Sequence, residues 1–158
     1  MKFANNDTYQ GGWSNGKPHG MGTYTWTNGN EYKGEYKAGM QTGKGSHLYA
    51  LGDVFEGDFL NDKRTGMGTL HLSTGDKHEG LWENDKQQGK GTYYCNNGDV
   101  FKGEWRNNKK DGRGLLVYAS GDRLEGVWVN DKIHGQAKLT KATGGTEIQE
   151  FVNGQRRS

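Results

Sequence analysis

The sequence predicts an all-β fold, an elongated single-layer antiparallel sheet of consecutive β-hairpins with no helices of note. Three observations predict it. A 23-residue unit recurs in fixed register without insertion or deletion, which marks a repeat architecture. Within each unit, large apolar or small residues at positions 1, 3 and 5 alternate with polar residues at 2 and 4, the period of a half-buried strand. No helical period occurs anywhere, and glycine every few residues opposes one.

With position 1 set at Tyr9, full copies span 9–31, 32–54, 55–77, 78–100, 101–123 and 124–146. Residues 1–8 fit the second half of a preceding copy, and 147–158 fit a partial C-terminal capping copy. Five columns hold 26 of the 28 glycines, so the register is no accident of a glycine-rich chain. Position 3 runs from Gly11 to Gly126, position 12 from Gly20 to Gly135, position 14 from Gly22 to Gly114 and position 21 from Gly29 to Gly144; position 8 holds Gly16, Gly39 and Gly154. The aromatics obey the same frame. Position 1 holds Tyr9, Tyr32, Phe55 and Phe101, and position 5 holds Trp13, Tyr36, Phe59, Trp82, Trp105, Trp128 and Phe151. Position 16 holds Tyr24 and Tyr93; position 18 holds Phe3, Trp26, Tyr49 and Tyr118.

Each element follows from these columns. Positions 1–5 make a first strand and positions 16–18 a second, short one. Positions 6–11, rich in Asn, Asp, Lys and Gly, read as a turn, and positions 20–23 as another. Glycine at 3 leaves room for the flanking rings to lie over the backbone. Glycine at 21 supplies positive φ in its turn. Glycines at 12 and 14 bend the second strand or let a neighbour approach. Two strands per repeat rise roughly 10 Å, so the array is expected to be on the order of 60 Å long. The last copy decays, with Ala137 for glycine at 14, Lys141 for the aromatic at 18, and Glu147 and Gln149 after them, as a cap requires. The N-terminus opens mid-repeat, so the chain reads as the C-terminal part of a longer array.

Composition sets bounds. Only 30% of residues are hydrophobic and mean hydropathy is −1.08, too apolar-poor for a deep core but compatible with a thin repeat. A net charge of +2 gives no reason to expect nucleic acid. The single cysteine, Cys95, cannot form an intrachain disulfide, which fits a reducing compartment. No apolar run reaches membrane-spanning length. The location expected on these grounds is the cytoplasm.

A unit of the form Tyr-x-Gly-x-Trp-x-x-Gly-Lys-x-x-Gly-x-Gly, seen whole from Tyr9 and closely matched from Phe101, resembles the MORN (membrane occupation and recognition nexus) repeat. Choline-binding and glucan-binding repeats mix similar residues but lack the central Lys-x-x-Gly-x-Gly. Asp62, Asp85, Asn108 and Asp131 depart from glycine at position 8, and both residue types suit tight turns. The resemblance implies a bare array similar to the cytoskeletal MORN proteins of protozoan parasites. It implies a non-enzymatic scaffold that forms an antiparallel homodimer through its C-terminal repeats and binds cytoskeletal proteins. The interface expected on that basis comprises Trp105, Leu116, Tyr118, Leu124, Trp128, Leu139 and Phe151.

Catalytic chemistry is not expected, and no cofactor is. Gly39–Ser46, GMQTGKGS, is a near miss for a phosphate-binding loop, but its glycines are the repeat's own. Metal binding is not expected either; His71, His78 and Cys95 are weak candidates, and packing accounts better for the latter two. Lys17, Lys63, Lys86, Lys109 and Lys132 share position 9, while Asp7, Asp53, Asp76, Asp99 and Asp122 share position 22. These columns place lysines along one edge of the sheet and aspartates along the other. The lysine edge offers contacts to anionic phospholipid such as phosphoinositide, against which stands a solvated turn. The aromatic face offers a peptide-binding groove wherever its rings are not filled by one another.

Overall fold

The computed structural model describes residues 1–157. It holds β-strands and turns and no helix among those residues. Fourteen strands form one sheet in sequence order, each antiparallel to the next. The odd strands are Thr8–Ser14 (β1), Glu31–Lys37 (β3), Val54–Leu60 (β5), Lys77–Glu83 (β7), Val100–Arg106 (β9), Arg123–Val129 (β11) and Thr146–Val152 (β13). The even strands are Lys17–Thr25 (β2), Met40–Leu48 (β4), Lys63–His71 (β6), Lys86–Tyr94 (β8), Lys109–Val117 (β10), Lys132–Thr140 (β12) and Gln155–Arg157 (β14). The chain divides into two compact units, one of residues 1–75 with 82–85 and the other of residues 76–81 with 86 onward.

The even strands correct the expected boundaries. They run nine residues, from position 9 to position 17, rather than three. The hairpin turn is only positions 7 and 8. Both residues have positive φ, as at Asn15 (52°) with Gly16 (75°) and Asn61 (49°) with Asp62 (70°). That is a type I′ turn, whose twist matches the strands it joins. Positions 9–11, read as turn, are strand, and the glycine at position 12, expected to bend that strand or admit a neighbour, is a bulge within it. Gly43, for example, has φ 93°, and the register slips somewhere between positions 2 and 5 of the partner strand in each repeat hairpin described. Pairs between successive repeats carry no such slip. Glycine at position 21 takes positive φ as expected, for instance 101° at Gly52.

One face of the sheet carries a ladder of rings. In the first unit the position-1 ring meets the position-5 rings of its own repeat and the next, edge to face. Tyr9 contacts Trp13 (5.0 Å) and Tyr36 (5.4 Å), Tyr32 contacts Tyr36 (5.2 Å) and Phe59 (5.1 Å), and Phe55 contacts Phe59 (5.4 Å) and Trp82 (5.1 Å). The second unit repeats the pattern, with Phe101 against Trp105 (5.7 Å) and Trp128 (4.8 Å) and His78 against Trp105 (4.6 Å). Such T-shaped pairs add about 0.5–1.5 kcal/mol each beyond area burial. The position-1 ring lies flat over the glycine at 14. A Cβ on Gly45 would sit 2.5 Å from the Tyr32 ring, and one on Gly114 2.5 Å from the Phe101 ring.

The last full copy obeys the same steric rule with different residues. Leu124 replaces the ring at position 1, and Ala137 and Ile133 fill the space that the smaller side chain vacates. Ala137 is therefore buried core, not the start of decay.

Candidate functional site

Two sets of side chains stitch successive repeats, and both bear on where free chemistry remains. At position 22 a carboxylate or amide oxygen accepts the backbone N–H of position 19 in the next repeat. Asp7 takes Thr27 (2.9 Å), Asp53 takes Ser73 (2.8 Å), Asp76 takes Asn96 (2.8 Å), Asp99 takes Ala119 (2.8 Å) and Asp122 takes Ala142 (2.9 Å). The second oxygens of Asp7 and Asp76 also accept the hydroxyls of Tyr24 (2.8 Å) and Tyr93 (2.6 Å). The aspartate column is thus spent on structure.

At position 8 the departures from glycine act likewise on the preceding repeat. Asp62 accepts the Gln41 N–H (2.8 Å), Asp85 the Arg64 N–H (3.2 Å), Asn108 the Gln87 N–H (2.8 Å) and Asp131 the Lys110 N–H (2.7 Å). Where position 8 is glycine the bond is replaced. Gly39 faces Pro18, which has no N–H to offer, and His19 accepts the Ala38 N–H instead (3.3 Å). Beside Gly154, His134 accepts the Asn153 N–H (3.2 Å). These histidines are stitches, too.

The lysine column stays at the hairpin turns. Lys17, Lys63, Lys86, Lys109 and Lys132 are exposed and have no ion-pair partner among the described residues. Gly39–Ser46 passes from the hairpin turn into β4; no helix follows to receive a phosphate.

His78 occupies the ring position and is fully buried beside Trp105 and Tyr93. Burial lowers its pKa to about 4, so the ring is neutral at pH 7. Cys95 is half-buried, and burial raises its thiol pKa. Among the described residues no group of three or more His, Cys, Asp or Glu could hold a metal ion.

Of the residues expected at a C-terminal interface, Trp105, Leu124 and Trp128 are buried in the chain's own core. Leu116, Tyr118, Leu139 and Phe151 pack against that core and remain partly exposed.

Rings that the ladder leaves partly exposed occur in both units, and those of the first unit line a groove. Columns 16 and 18 form a continuous stack there. Phe3 lies on Tyr24 (5.7 Å), Tyr24 on Trp26 (4.6 Å), Trp26 on His47 (5.2 Å) and His47 on Tyr49 (4.3 Å). From Tyr24 to Tyr49 this stack is one wall of a 460 Å³ groove, and Phe3 extends it beyond the groove. Tyr36 and Phe59 make its floor, and Gln41, Asp62 and Asp85 its opposite rim. Asp85 is held by Arg64, whose Nε donates to it at 2.7 Å while the guanidinium lies 4.5 Å from the Trp82 ring. Asp62 has no cation beside it among the described residues. Burial and then Arg64 lower the pKa of His47, which keeps the groove wall uncharged. Burial, then the Asp7 carboxylate, push the Tyr24 phenol up to about 12.

The ring columns pointed to this face. His47, an imidazole standing in an aromatic column, and Gln41 carry no site signal in the sequence, and Asp62 shows there only as a turn residue.

The MORN repeat model matches residues 9–31, 32–54, 55–77, 78–100, 101–123 and 125–146. The chain belongs to the MORN repeat family. MORN is a structural and interaction repeat, not an enzyme family. Comparison with curated proteins gives no match for this MORN chain. Among solved structures, it is similar to the SAS-4 (dCPAP) TCP domain of Drosophila melanogaster, in complex with a proline-rich motif of Ana2 (dSTIL). Identity is 18% over 99% of this chain and 92% of that one, with a TM-score of 0.52. It is also matched by the wild-type TCP10 domain of Danio rerio CPAP, at 14% identity over 92% of this chain and 62% of that one, TM-score 0.48. At these identities the likeness concerns the fold.

Proposed function

We propose that this chain is a protein-interaction scaffold whose ring face, over its first repeats, holds an extended segment of a partner protein. The observation that carries the reading is the stacked wall from Tyr24 to Tyr49 beside Tyr36 and Phe59 in one groove. Tyr93, Tyr118 and Phe151 are also partly exposed, but in the first unit Tyr24, Trp26, His47 and Tyr49 stand together along one groove, and such apolar exposure marks an interaction site. The SAS-4 domain, which shares the fold, was captured with a proline-rich segment, and this supports a peptide as the occupant.

The test is selection of peptides from a random display library on the intact chain, repeated on Tyr49→Ala. Peptides that bind the native chain and fail on the variant support the reading. Selected peptides that ignore both Tyr49→Ala and Trp26→Ala would overturn it.

A second reading, self-association through the C-terminal repeats, is favoured by the partly exposed Leu116, Tyr118, Leu139 and Phe151. Sedimentation equilibrium at micromolar concentration tests it. A dimer mass lost on Phe151→Asp supports it, and a monomer mass throughout rules it out.

A further inference from the structure

Resting on the groove reading above, we infer that the occupant is a polyproline II segment with proline at every third residue and a basic residue at the end nearest Asp62. Three observations lead there. The first is spacing. Two strands at about 4.8 Å give a repeat of about 9.6 Å along the groove. Three residues of polyproline II advance about 9.3 Å. A ligand crossing the strands therefore presents the same face to the Tyr24–Trp26 pair and then to the His47–Tyr49 pair. About six residues cover both. An extended β peptide, of period two, would alternate faces against the same rings.

The second is hydrogen-bonding chemistry. Polyproline II leaves its carbonyls without internal partners. Among the described residues, neither the Trp26 indole N–H nor the Tyr49 hydroxyl has a hydrogen-bond partner. Both stand on the wall as donors, and their ring faces suit proline rings.

The third is charge. The groove lining carries two carboxylates and no lysine or arginine. Arg64 neutralises Asp85. Asp62 spends one oxygen on the Gln41 N–H and keeps the other free of any cation. A lysine or arginine on the ligand complements it.

The experiment is calorimetric titration of the full chain with three synthetic twelve-residue peptides. One has proline at every third residue and a terminal arginine, one is the same composition scrambled, and one has the arginine replaced by glutamate. The periodic peptide should bind at least about tenfold tighter than the scrambled one. Replacing its arginine should weaken binding about fivefold. That fivefold difference should vanish in Asp62→Asn. This variant keeps the turn and the stitch, since Asn108 already serves at the equivalent position with φ 69°. A matching urea midpoint confirms it is folded. Equal binding of periodic and scrambled peptides, or a charge preference that survives Asp62→Asn, would overturn the inference. Library-selected peptides that depend on Tyr49 yet lack period-three proline would overturn it while leaving the groove reading intact.

Discussion

Replacing Gly114 by alanine tests the packing rule on which the sheet face rests. The new Cβ would lie 2.5 Å from two carbons of the Phe101 ring and 3.1 Å from Trp128 Cε3. Carbon pairs settle at about 3.5–4.0 Å, so the ring must retreat by about 1 Å. It has nowhere to go. Phe101 is 1% exposed and is gripped by Trp105 and Trp128. Overpacking of that kind costs about 1–3 kcal/mol, and the fixed neighbours place this site at the upper end. Phe101→Leu alone leaves a void and should cost about 1–2 kcal/mol. The double variant reproduces the native pairing of Leu124 with Ala137. It should recover at least about 1 kcal/mol relative to the sum of the single variants. Urea unfolding followed by tryptophan emission reads this as a midpoint shift on the order of 1 M for Gly114→Ala. If the two changes add to within about 0.5 kcal/mol, the ring and the glycine are not coupled and the reasoning fails.

Other consequences can be checked in the same way. Stability should fall with acid because His78 is buried neutral: burial holds its folded pKa at about 4, below the ordinary histidine value of about 6.5. The unfolded chain binds the proton first, so stabilisation is complete above pH 6.5 and about 3 kcal/mol is lost as pH falls to 4. His78→Phe should remove most of that slope in urea midpoints, and an unchanged slope would place its origin elsewhere. Asp122→Ala should cost about 0.5–1.5 kcal/mol by removing the acceptor of the Ala142 N–H, whereas Asp122→Asn should cost far less. Equal losses would remove the stitch from the account. Lys63→Glu and Lys86→Glu should each move stability by no more than about 0.5 kcal/mol, because both side chains are exposed and unpaired.

Much of this architecture was legible in residue columns. Period two at positions 1, 3 and 5 located the odd strands, and glycine opposite large rings foretold the clearance at Gly45 and Gly114. What escaped had physical reasons. Positions 9 to 11 belong to the even strands, yet this polar segment ahead of the bulge at Gly43 and its equivalents has the composition of a turn. Asp53 and Asp122 looked like solvated charges because their partners are backbone N–H groups twenty residues away, which leave no mark on side-chain pattern. Ala137 looked like erosion because its meaning depends on Leu124, thirteen residues earlier. The ring columns announced the groove's wall, but which rings stay uncovered depends on the ladder that forms around them.

Chemical-shift mapping on the intact chain, titrated with the periodic proline peptide, tests the groove most directly. The account predicts perturbations concentrated at Tyr24, Trp26, His47, Tyr49 and the Asp62 turn, which disappear in Tyr49→Ala. Perturbations centred on the lysine turns or on Leu116 to Phe151, with the first repeats silent, would contradict it.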